Sequence, residues 1–103
     1  MENEQDRLKR LKESWKITEQ HLEAARALLP SPLIECPEAE WGSLKQFEEY
    51  LAANELEMAM DQLEGMGEAN DCTAEFWQEL VAAAENMEQT KRADYYQEKA
   101  SQT

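Results

Sequence analysis

The sequence predicts an all-α protein, a small bundle of about four to five helices arranged as helical hairpins, with a long amphipathic helix at the N-terminus. Three observations carry that prediction. Ile, Val and Phe together number only five among 103 residues, whereas Ala, Leu, Glu, Gln and Met dominate, so strand formers are scarce. Apolar residues recur at three- and four-residue spacings in successive stretches. Cap-type residues, Ser43, Asn54, Thr73 and Thr90, stand where those stretches begin. At 11.9 kDa the chain is a single domain, 1–103. Its 27 large apolar residues and 14 alanines supply a thin helical core.

Residues 4–29 carry Leu8, Leu11, Trp15, Leu22, Ala25 and Leu29 at helical spacing, a seven-residue pattern interrupted by Thr18. A helix of that length extends about 37 Å at ~1.5 Å per residue. Asp6 and Arg10, Glu13 and Lys16, and Glu23 and Arg26 lie one turn apart, the spacing of opposite-charge pairs. The apolar stripe needs a cover, either the rest of the chain or a second copy in a homodimer through residues 4–29.

Pro30, Pro32 and Pro37 break the helix and make 30–43 a connection, with Leu33, Ile34 and Trp41 available to pack on the helices. The remainder, 44–101, reads as a core of helical hairpins. Ser43 with Gln46 has capping-box spacing and starts a helix over about 44–53, with Leu44, Phe47 and Leu51 facing inward. Asn54 with Glu57 repeats that spacing and predicts a helix over about 55–66, ended by Gly65 and Gly67. Thr73 caps a helix over about 74–88, and Thr90 opens a short last one through Ala93 and Tyr96. No self-similarity at the period of a helical repeat is present.

Charge narrows the function classes. The net charge is −13, and it is unevenly placed: residues 1–29 hold six acids and six bases, residues 30–103 seventeen acids and four bases. Between Lys45 and Lys91 stand twelve acids and no Lys or Arg. Phosphate binding requires Lys and Arg gathered on one face, so nucleic acid is excluded as a partner. No apolar run is long enough to span a membrane, and the charged N-terminus lacks the apolar segment of a secretory signal, which predicts a cytoplasmic protein. Cys36 and Cys72 have no metal or redox spacing and are expected to be free thiols, a single disulfide between their loops being the alternative in an oxidising compartment. The single histidine, His21, has Thr18 where a Glu-x-x-His pair would need Glu, so it reads as a helix-surface or boundary residue and no metal site is predicted. Carboxylates abound, but no nucleophile with a base and no phosphate-cradling loop accompanies them. The chain therefore reads as a non-enzyme without a cofactor.

The stretch ANELEMAMDQLEGMGE, residues 53–68, is the most informative. On a helix, Leu56, Ala59, Met60, Leu63 and Met66 share the core face. Glu57, Asp61 and Glu64 share its flank, and Met58 points away from the core. Glu57 and Asp61, Glu64 and Glu68, and Glu75 and Glu79 are like-charge pairs one turn apart, each unfavourable by ~0.2–0.5 kcal/mol. A basic protein partner would turn that repulsion into attraction and speed association. The candidate partner-binding residues are Glu49, Glu57, Asp61 and Glu64 for steering and ion pairs, with Tyr50, Met58 and Trp41 as apolar anchors. An acidic surface that merely keeps the protein soluble is the plainer reading of the same residues.

From Phe47 to Tyr96 the order FEEYLAANELEMAMDQLEGMGE, a polar loop, EFWQELVAAAENM and then KRADYY resembles small all-helical bacterial immunity proteins of the MafI-like type. The likeness covers about half of the chain and rests mostly on core positions. It does not extend to the charged first helix or to the proline-containing connection. The resemblance implies a protein that binds and neutralises a toxin of the producing cell, often a nuclease. The acidic stretch suits that role, because a nuclease's phosphate-binding groove is basic. The alternative is a self-associating structural or adaptor protein that pairs through the first helix.

Overall fold

A computed structural model describes residues 3–35 and 42–103. The order is α1 (Glu4–Ala27), α2 (Leu44–Ala52), α3 (Leu56–Ala69), α4 (Ala74–Asn86) and α5 (Thr90–Ser101). Among the described residues there is no strand. The all-α class and the long first helix are thus as the sequence predicts. α2 with α3 and α4 with α5 form two helical hairpins, and α1 lies against α4 and α3.

Local chemistry sets the helix ends. Asn3 caps α1 by accepting from the Asp6 N–H, Glu4 and Asp6 sit at its positive pole, and Arg26 sits in its last turn. Ser43 Oγ accepts from the Gln46 N–H and Thr73 Oγ1 from the Phe76 N–H, both as predicted. The reciprocal half of the Ser43 box comes from elsewhere: the Ser43 N–H donates to Oε1 of buried Gln62 on α3.

Two expectations are overturned. Asn54 does not cap α3; it takes φ 59° and terminates α2. The Glu55 N–H donates to Tyr50 O and the Asn54 N–H to Leu51 O, the two bonds of a Schellman motif with Asn in the left-handed position. The α4–α5 turn repeats it, with Gln89 bonded to Ala84, Glu88 bonded to Glu85, and Glu88 at φ 60°. Nor do Gly65 and Gly67 end α3, which continues to Ala69 with both glycines buried inside it. A Cβ on Gly67 would stand 2.5 Å from Phe76 Cε1 and 2.8 Å from Trp77 Cη2, so this glycine is there to let α4 approach. The helix stops at Asn70, whose Nδ2 donates to the carbonyls of Met66 and Ile34 while its Oδ1 accepts from the Ile34 N–H. One side chain therefore ends α3 and ties the connection down.

The core holds Leu22 and Ala25 of α1, Phe47 of α2, Ala59, Met60, Leu63 and Met66 of α3, Phe76 and Leu80 of α4, and Tyr96 of α5, all fully buried. Met60 and Met66 are fillers of that core, as read from the sequence. Thr18 is buried too, although it interrupts the apolar pattern. It is satisfied there because Asn86 Nδ2 donates to Thr18 Oγ1 and to Ser14 O, both at 2.7 Å, joining α1 to the end of α4. Arg26 turns to Glu48 of α2 at 2.8 Å and not to Glu23.

Candidate protein-interaction surface

α1 outruns the body it packs on. Asn86, in the last turn of α4, meets Ser14, and every residue from Asn3 to Glu13 is exposed. About three turns of helix thus project as an arm. The stripe continues along it uncovered, with Leu8 49% exposed, Leu11 44% and Trp15 37%. Trp15 stands between two clefts. One, of about 300 Å³, runs from Trp15 to Met58 and Met87 and is rimmed by Glu55 and Glu57. The other, also about 300 Å³, is lined by Leu11, Trp15 and Met87 and rimmed by Glu88. Met58 itself is 42% exposed.

The carboxylate row on α3 has an internal counter-charge that the sequence does not reveal. Arg92 of α5, only 18% exposed, pairs closely with Asp61 through Nη2 and lies 3.7 Å from both Glu57 and Glu64. Its Nε donates to Tyr96 Oη at 2.8 Å, and that hydroxyl donates to Glu64 Oε1 at 2.6 Å. Burial foremost, then the hydrogen bond to Glu64, pushes the Tyr96 phenol far up, with Arg92 opposing. The neighbouring Tyr95 phenol bonds Glu68, and that bond, helped by burial, raises it to about 12. Lys99 lies over the rings of Trp77 and Tyr95 at 5.9 Å and 5.5 Å.

The structure thus divides the sequence-derived candidates. Glu57, Asp61 and Glu64 converge, as three consecutive turns of one helix face must. Asp61 and Glu64 are committed to Arg92 and Tyr96, whereas Glu57 is 62% exposed and only at the margin of that cluster. Met58 and Glu57 line the same cleft. Glu49 is exposed on α2 and Tyr50 is half-buried against the core, so neither joins the cluster. Trp41 and Cys36 lie outside the described residues. Cys72 is a buried free thiol, its pKa raised by burial and by Asp71.

A comparison with protein-family models, curated proteins and solved structures finds no match.

Sequence reasoning missed that Trp15 is exposed and Met87 only partly buried, because each occupies a core register of its own helix. Where α4 ends decides which part of the α1 stripe is covered, and that is not a local property. His21, on the flank of α1, bonds Glu79 of α4 at 2.7 Å, a tie between helices. Among the described residues no three His, Cys, Asp or Glu are grouped to hold a metal ion, and no helix is long and apolar enough to cross a membrane.

Proposed function

We propose that the protein is a non-enzymatic binding module for a basic protein, acting as an immunity-type inhibitor of a toxin enzyme. The observation that carries this reading is the cleft in which exposed Met58 and Trp15 stand beside Glu55 and Glu57. An apolar anchor beside exposed carboxylates is the composition that binds a basic partner. The anchor supplies affinity, and the charges supply steering and orientation. The net charge of −13 adds a long-range field of the same sign. The process, neutralising a toxin, rests on the resemblance of residues 47–96 to small helical immunity proteins.

Within this reading the residues take unequal parts. Glu49 and Glu57, both exposed, steer the encounter; Met58 anchors it. Asp61 and Glu64 are held by Arg92 and contribute through the field. The test is affinity capture from the source cell at low and at high salt, followed by mass spectrometry of the retained proteins and an activity assay on the enzyme recovered. A basic enzyme that is released as salt rises, and inhibited by the protein in stoichiometric amount, supports the reading. The combination Glu49→Gln, Glu57→Gln and Met58→Ala should then slow association by roughly tenfold at low salt. Recovery of no basic protein where the partner is expressed, or of one whose activity the protein leaves unchanged, overturns it.

A further inference from the structure

The arm of α1 and the end of α4 have complementary chemistry. From Asn3 to Lys16 the arm carries five bases, Arg7, Lys9, Arg10, Lys12 and Lys16, against three acids, Glu4, Asp6 and Glu13. Arg7, Lys9, Lys12 and Lys16 form no ion pair among the described residues, and the stripe of Leu8 and Leu11 between them is half exposed. The C-terminus of α4 is the mirror case. Its last turn holds no base, Glu85 and Glu88 are exposed there, and the negative pole of the helix dipole adds to them. Beside those acids lies the cleft of Trp15 and Met87.

We propose that this face is covered by a second copy of the chain, in a two-fold dimer in which each arm seats Leu8 and Leu11 on the other copy's Trp15–Met87 cleft. Lys12 and Lys16 of the arm then meet Glu85 and Glu88 across the interface. A two-fold contact requires one surface to carry both halves of the match, and this chain does. A foreign helix would have to reproduce the arm's own combination of apolar stripe and flanking lysines. The partner-binding cleft proposed above shares Trp15 and Met87 with this one and extends to Met58 and Glu57, whereas the dimer is argued from the arm and the end of α4.

The test uses the full purified chain alone, by sedimentation equilibrium over a range of concentrations at low and high salt. The expected result is a species of twice the 11.9 kDa chain mass that dissociates on dilution and weakens as salt rises. Leu8→Ser with Leu11→Ser should raise the dimer Kd by roughly a hundredfold with the helical signal and thermal midpoint retained, since neither leucine is in the core. Lys12→Glu with Lys16→Glu should also weaken the dimer, and adding Glu85→Lys with Glu88→Lys should restore it; these changes touch no packed residue. A chain-mass species at every concentration overturns the proposal. So does a dimer indifferent to both sets of changes, or an arm whose amides gain exchange protection only when a basic protein is added.

Discussion

Arg92 of α5 and Asp61 of α3 form an ion pair that lies between Glu57 and Glu64, so one guanidinium serves three carboxylates on successive turns. From the sequence, neutralising Glu57, Asp61 and Glu64 relieves like-charge repulsion along a helix and slightly stabilises the fold. The pairing reverses that sign. The triple change to Gln, Asn and Gln leaves a mostly buried Arg92 without a counter-charge and should destabilise the domain by about 1–2 kcal/mol in urea unfolding. Arg92→Met should destabilise it at low salt, and less at high salt, where the repulsion it exposes is screened.

Gly67→Ala replaces a poor helix former with the best one inside α3, a gain of about 1 kcal/mol where nothing else intervenes. Here the new methyl meets the rings of Phe76 and Trp77 at less than 3 Å. The expected result is a net loss of about 1–3 kcal/mol, read as a lower thermal midpoint. An unchanged midpoint would mean that the α3–α4 contact gives way freely.

Glu88 sits at φ 60° in the Schellman turn after α4, a conformation costly for a residue with a Cβ. Glu88→Gly should stabilise the domain by about 1 kcal/mol. Asn54→Gly, at the matching place after α2, should change stability less, because Asn tolerates that region. Comparing the two midpoints checks the argument.

The tyrosines give a pH dependence with a definite sign. The folded state holds the Tyr95 and Tyr96 phenols above their ordinary value of 10, so both favour the neutral form. Their contribution is fully present below about pH 10 and is lost as pH rises beyond it, since the unfolded chain then releases protons that the folded one keeps. Urea midpoints should fall as pH rises from about 10 to about 12, and Tyr95→Phe with Tyr96→Phe should flatten that fall. At neutral pH, Tyr96→Phe alone should cost about 1–3 kcal/mol, because Glu64 and Arg92 both lose a partner.

What the sequence showed of this fold depended on distance along the chain. Ser43 and Thr73 were legible as caps because each bonds an N–H three residues on. Asn54 misled because an asparagine suits both a cap and a left-handed turn, and the choice is made by the preceding helix. Gly67 misled because its reason for being glycine lies in Phe76 and Trp77, on another helix. The acidic row was legible in sequence, but not its tie to Arg92, which only the packing of α5 on the bundle brings within reach. The stripe of Leu8, Leu11 and Trp15 was clear as a stripe; that half of it stands free follows from where α4 ends.

The docking of α1 also bears on how the molecule is made. The two hairpins join neighbours in the chain and can close as soon as they are synthesised. α1 must wait, because His21 meets Glu79 across 58 residues, and Ser14 meets Asn86 across 72. At roughly 5–20 residues per second of translation, Ser14 waits about 4–14 s for Asn86, an interval in which α2 and α3 alone are there for α1 to lie on. Nascent chains therefore carry, for that interval, a basic amphipathic helix whose contact with α4 forms late.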